Sequence, residues 1–288
     1  MLIVVLFLNS LRNISMDTKI NSSSAFTFSG SVHHHYEECL GPMFFEPYAL
    51  EVADRISGLP AHLTLEIACG TGRVTRHLRK TIPATGKLIA SDISPDMLAV
   101  AREKLQSADI QWEIIDAQDL PFDDKSIDLA VCCFGFMFLA DRAKGFSEVY
   151  RVLRPGGTLL LTTWDKLEVN AASFVYRRTA KKYLGDPLPE AYNLPFTLSD
   201  ERIIRSYLEN AGFGKFAIEN VRKVCFSSTA REATEGLVHG GSIYNEIMKR
   251  NPAWMEKIKS TVEKELSQQF GAAPMRAPMS AIVSTAWK

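Results

Sequence analysis

Residues 63–75 read LTLEIACGTGRVT: an apolar strand pattern carrying one acid, Glu66, that runs into Gly70-Thr71-Gly72 and then into a helix. Glycine at 70 and 72 lets backbone N–H groups approach a ligand closely, and a helix opening there turns its unsatisfied amides toward the same point. The stretch reads as a nucleotide cradle. A dinucleotide fingerprint needs glycine three positions beyond the second one, and Thr75 stands there, which opposes a pyrophosphate and so NAD. A carboxylate at Glu66, buried at the strand's end, suits a cofactor with cationic groups better than one bearing phosphates.

After a break at residues 83–86, a second apolar strand, KLIASD, ends on Asp92. An acid about 20 residues past the glycine turn, at the tip of the next strand, is placed to grip a ribose diol through two charge-assisted hydrogen bonds. In ISPDML, Ser94 and Pro95 open a helix as cap and first-turn residue, with Ile93 and Met97 as apolar contacts for an adenine. EIACGTG resembles the first motif of the class I S-adenosylmethionine (SAM)-dependent methyltransferases, of the small-molecule, ubiquinone/menaquinone-methyltransferase-like type. The likeness continues through Asp92 and ISPDML, through DAQDLPF from Asp116, which resembles the family's adenine-recognition motif, and through LRPGGTLLLTTWD at 153–165, which resembles its strand-five signature.

This resemblance covers roughly residues 63–165 and specifies fold and cofactor more than substrate. It implies SAM as cofactor, with S-adenosylhomocysteine (SAH) as product. The motif residues Glu66, Ala68, Gly70, Thr71 and Gly72 would surround it, Asp116 would accept from the exocyclic amine, and the Ala117 backbone N–H would donate to the ring. Cys133 would offer its carbonyl to the methionine part, beside Phe134. Arg73 either pairs with the cofactor's carboxylate or stands on the surface. Tyr36 is read evenly as cofactor contact and as packing.

The strand IDLAVCC leads into FGFMF, so Phe134, Phe136, Met137 and Phe138 fall at the carboxyl end of a parallel strand, where ligands sit in such sheets. With Phe44 and Trp164, the last three are expected to wall the acceptor pocket, although Phe44 and Phe45 read first as core. A sulfonium methyl is already activated, so alignment and water exclusion are the main catalysis. One base can assist, and His35, Asp165 and His239 are the candidates. A non-catalytic SAM- or nucleotide-binding partner subunit and an NAD-binding oxidoreductase are the competing readings.

The expected architecture is α/β: a Rossmann-like, doubly wound, seven-stranded sheet with the last strand antiparallel and helical caps. Residues 1–30 are expected to be a disordered leader, 31–60 an N-terminal cap helix, and 61–228 the SAM-binding core with a lid insertion at about 166–198. A helical insertion follows over 229–275, and 276–288 supply the final strand. The opening MLIVVLFLNS lacks a basic region and is too short to span a bilayer, and Met16 is a candidate true start. His33, His34 and His35 read as a solvated loop.

The 288 residues carry 33 basic and 33 acidic side chains with no basic stripe, which opposes nucleic acid as partner. The 5 cysteines are odd in number and largely inside apolar strands, so they read as reduced residues of a cytoplasmic protein, with no metal spacing. A small-molecule acceptor and no stable membrane insertion are expected; the oligomeric state is left open.

Overall fold

The computed structural model describes residues 36–185, 188, 192–240 and 243–288. The leader, His33, His34 and His35 lie outside them. The centre is a seven-stranded sheet ordered β3-β2-β1-β4-β5-β7-β6, built from β1 Leu63–Ile67, β2 Lys87–Asp92, β3 Ile110–Ile114, β4 Ile127–Cys133, β5 Leu153–Trp164, β6 Lys215–Ser227 and β7 Met275–Trp287. Strands β1 to β5 run parallel, while β7 is antiparallel to both β5 and β6. This is the Rossmann-like sheet expected from the sequence, reversed strand included. The near-continuous burial of β1 and β4, polar Thr64, Glu66 and Asp128 included, follows from cover on both faces of a parallel sheet.

The helices are α1 Glu46–Ile56, α2 Thr75–Thr81, α3 Pro95–Lys104, α4 Arg142–Val152, α5 Ala171–Leu184, α6 Glu201–Ala211, α7 Ala230–His239, α8 Tyr244–Arg250 and α9 Trp254–Phe270. Four of them start on short polar caps: Ser94 accepts from the Met97 N–H, Asp141 from Lys144, Asp200 from Arg202 and Thr229 from Glu232. Helix α6 ends on Gly212 in the left-handed region, as its sequence requires. A π-helical segment, Tyr36–Phe45, precedes α1.

Two features position the site. The strand order reverses between β1 and β4, so the connections leaving their carboxyl ends diverge and open a crevice there. The β6–β7 ladder also outruns the rest of the sheet: β5 pairs with β7 only from Thr158↔Trp287 to Trp164↔Ala281, whereas β6 stays paired to Ser227↔Met275. The overhang rises above the carboxyl edge. Helices α7, α8 and α9 fill the connection between its two strands, and α5, which follows β5, packs on α9 and β7. Among the described residues no helix is long and apolar enough to cross a membrane.

Candidate active site

The tips of β1 and β4 carry the strained backbone. Ala68 and Phe134 hold φ at 55° and 61°, and Gly70 and Gly72 hold 57° and 80°. Positive φ is rare for alanine and rarer for phenylalanine, and such strain persists where surrounding structure over-determines it. The two glycines differ in their surroundings. A Cβ on Gly72 would meet Leu105 and Ala101 at 2.9 and 3.2 Å, whereas one on Gly70 would meet nothing within 4 Å. Gly72 is therefore needed for packing, while the space above Gly70 is open for a ligand.

Around this point lies a cleft lined by Phe45, Glu66, Ala68, Cys69, Gly70, Thr71, Arg73, Val74, Cys133 and Phe134. Its volume of about 40 Å³ is far below the roughly 300 Å³ at which small-molecule pockets begin, so a nucleoside enters only if the walls part. A broader hollow of about 560 Å³ between α6 and β6, around Gly212 and Phe213, sits at the opposite, amino edge of the sheet and lacks this chemistry.

Glu66 is 2 % exposed, and its Oε2 has no hydrogen-bond partner. Burial pushes the carboxyl up to about 8, against the pull of Thr75 and with the help of Asp92. Asp92 receives the Gly70 N–H on Oδ2 at 2.8 Å and the Ser94 N–H on Oδ1 at 2.9 Å. Burial raises its pKa too, opposed by backbone N–H groups at Ser94, Gly70 and Ile93. An orphaned buried acid, a second acid whose oxygens retain lone pairs, and open space over Gly70 fit a ligand with cationic groups and a diol. The residues present thus suit SAM.

The other side is aromatic. Phe134 stacks on Trp164 with ring centroids 4.1 Å apart, and Phe45 and Tyr48 meet both rings edge-on or tilted at 5.4–5.8 Å. Phe44 adds an edge contact to Trp164 at 5.8 Å. Behind them the Tyr48 hydroxyl donates to the Val221 carbonyl at 2.9 Å. The Cys132 thiol is pushed up to about 12 by burial, and Cys133 further, so neither is a nucleophile at neutral pH.

The structure gathers Glu66, Ala68, Gly70, Thr71, Arg73, Cys133 and Phe134 in one cleft, with Asp92 behind Gly70. Sequence reasoning missed Cys69 and Val74, whose signal was adjacency to the motif, and ranked Phe45 as core. Ile93, 65 % exposed, is presented beyond Asp92, while Met97 is buried within the packing of α3. Asp116 turns back to accept the Gln118 N–H at 2.9 Å, with Ala117 buried beside it. The Tyr36 side chain and His35 lie outside what the structure describes.

Several expectations need correction. Arg73 is neither free for a ligand nor a surface residue: its guanidinium donates to the Glu37 carboxylate at 2.5 Å, to the Glu37 carbonyl at 2.9 Å and to Glu46 at 3.0 Å. Glu37 also holds Thr71 and pairs with Lys104 at 2.6 Å, so the π-helical segment is strapped to the glycine turn. Phe136 and Met137 are fully buried, because a short 3₁₀ turn at Phe136–Phe138 rotates them into the core, where Phe136 meets Phe146 at 4.7 Å. Only Phe138, 40 % exposed, keeps an open face. Asp165 is no free base: Ser280 and Asn220 both donate to Oδ2 at 2.8 Å, and the Lys166 N–H donates to Oδ1 at 2.7 Å. His239 sits at the end of α7, paired with Glu235 at 2.8 Å, and does not line the cleft.

Comparison with known proteins bears on this geometry. The family pattern described as "Methyltransferase domain" matches residues 65–161. A ubiquinone/menaquinone biosynthesis C-methyltransferase of Pseudoalteromonas translucida is 37 % identical over 174 residues, covering 56 % of this chain and 69 % of that protein. The protein of the same name from Hydrogenovibrio crunogenus is 32 % identical over 120 residues, covering 40 % of this chain and 47 % of its relative, so the match spans about half of that protein. Among solved structures, the phosphoethanolamine N-methyltransferase 2 of Haemonchus contortus, in complex with phosphomonomethylethanolamine and SAH, superposes with a TM-score of 0.57 at 20 % identity, over 89 % of this chain and 56 % of that one. At that identity the likeness is one of fold.

Proposed function

Because the chain belongs to the class I SAM-dependent methyltransferases, we propose that it moves a methyl group from SAM to a small, partly apolar molecule by in-line displacement. The observation that carries this is the orphaned, buried Glu66 carboxyl beside Asp92 at the β1/β4 reversal, under an open glycine turn. In this reading Asp92 grips the ribose, Ile93 and the Asp116–Ala117 turn hold the adenine, and Glu66 faces the cationic end. When bound, the sulfonium supplies a methyl group that needs no further activation.

The chain's own part is alignment and desolvation. The wall of Phe134, Trp164, Phe45 and Tyr48 excludes water and presents ring faces, which favour a neighbouring cation. No described base candidate stands free, which supports positioning over proton transfer. The relatives are named as C-methyltransferases, and that favours a carbon acceptor here. We assign residues 36–56 and the helices after β5 and β6 to the cover over the acceptor side, and the protein to the cytoplasm.

The test is calorimetric titration with SAM and SAH against an NAD control, followed by a screen of acceptors with methyl-labelled SAM. Saturable SAH binding and label transfer to an electron-rich ring carbon are expected. NAD binding in place of SAH would overturn the reading, and SAH binding without transfer to any acceptor would leave a non-catalytic subunit.

A further inference from the structure

Three hydroxyls in the cover over the sheet have no hydrogen-bond partner: those of Tyr176 and Thr179 on α5 and of Tyr192 on the segment after it. The residues are 5 %, 0 % and 6 % exposed. Tyr176 and Thr179 stand one turn apart on the same helix face. The Tyr176 and Tyr192 rings lie 6.0 Å apart, and Tyr192 is pinned by Arg177, whose guanidinium sits 5.3 Å over its ring and donates to Asn193. Burial pushes both phenols above their ordinary range. Tyr176 and Tyr192 belong to the main hydrophobic core, and the face of α5 that carries Tyr176 and Thr179 also buries Ala172, Val175 and Ala180.

A buried hydroxyl left unpaired destabilises the fold, because it has given up its water without a replacement. Orphaned buried atoms also occur singly elsewhere, at Thr64, Thr75, Thr162 and Ser284 and at Nε of Arg142, but here two phenols share a ring contact and a threonine hydroxyl stands one helical turn from the first of them. Helix α5 follows β5 directly after Trp164 and Asp165. The segment carrying Tyr192 is tied to that edge by the Thr163 hydroxyl on the Leu198 carbonyl at 3.0 Å and by Arg142, which bridges Met137 and Thr197 at 2.8 and 2.7 Å.

We infer that Tyr176, Thr179 and Tyr192 form the polar subsite of the acceptor pocket, taking the oxygen functions of a neutral, otherwise apolar molecule. Each hydroxyl both donates and accepts, so the set matches carbonyl and hydroxyl oxygens alike. Arg177 is already spent on the Tyr192 ring and Asn193, which disfavours an anion. The word acceptor rests on the methyl-transfer reading; the subsite itself rests on the three hydroxyls.

The test compares 1-naphthol with 1-methylnaphthalene, alike in shape but differing by the oxygen, binding to the SAH-saturated full chain. In the native protein 1-naphthol binds at least about tenfold more tightly, because a site built to hydrogen-bond rejects an analogue lacking the group. In Tyr176→Phe, Tyr192→Phe and Thr179→Val that preference falls, by several-fold or more in each phenylalanine variant. SAH affinity is unchanged and the melting temperature is equal or higher, since no intramolecular hydrogen bond is lost. An unaltered preference would overturn the inference at any melting temperature, and lower melting temperatures beside it would mean that the hydroxyls hold structural water. Failure of 1-naphthol to bind the native SAH complex would overturn the ligand class. Failure of SAH itself to bind would strike the methyl-transfer reading instead.

Discussion

Replacing Glu66 by glutamine separates the buried acid's charge from its shape. In the folded chain its pKa rises from 4.5 to about 8, so the folded state keeps a proton that the unfolded chain sheds. The stabilisation from this proton is fully present below pH 4.5 and is lost as pH rises through about 8. Each pH unit inside that window removes about 1.4 kcal/mol, so between pH 5.5 and 7.5 the native protein loses about 3 kcal/mol on this account. In Glu66→Gln nothing titrates at this position, and that part of the slope disappears. Urea denaturation across pH 5–8, with and without the substitution, reads the difference directly. Parallel pH profiles for the two proteins would refute the assignment of a protonated carboxyl at the end of β1.

Asp92→Asn keeps the size but weakens acceptance from Gly70 and Ser94; SAH affinity measured by calorimetry should fall by at least about tenfold, with a stability loss of about 1–2 kcal/mol. Glu37→Gln loosens the strap to Thr71, Arg73 and Lys104, and amide hydrogen exchange over residues 36–45 should quicken while that of β1 and β4 stays slow; unchanged exchange would show that apolar packing alone holds the segment. His239→Gln should leave methyl transfer within about twofold of native, and a fall of a hundredfold, of the size general-base loss produces, would return His239 to the chemistry.

The sheet was readable because each of its signals is local. The glycine turn after β1, the Ser94-Pro95 helix start and Gly212 after α6 each write their geometry into a few adjacent residues. The overhang was less so: β7 begins at Met275, where Pro278 interrupts the strand pattern, and a proline is tolerated there because β7 has only β6 beside it at that point. Candidate-site residues followed the same division. Glu66, Gly70 and Asp92 come together through consecutive βα units. The engagement of Arg73 by Glu37, or of Asp165 by Ser280, joins residues 36 and 115 positions apart, which no local spacing encodes. Phe136 and Met137 were misplaced because one 3₁₀ turn decides which way a strand-end side chain faces.

The overhanging rungs from Arg222↔Ser280 to Ser227↔Met275 form a two-stranded ribbon with no third strand to brace it, an arrangement that is marginal alone in water. Its footing is helical: the helices inserted between its own two strands, together with the Tyr36–Phe45 segment against β6 and α5 against β7. Ribbon, insertion and these neighbours therefore lean on one another above the carboxyl edge of the sheet. Changes of sequence in that unit fall on the cover and leave the crevice between β1 and β4, with Glu66, Gly70 and Asp92, as it is.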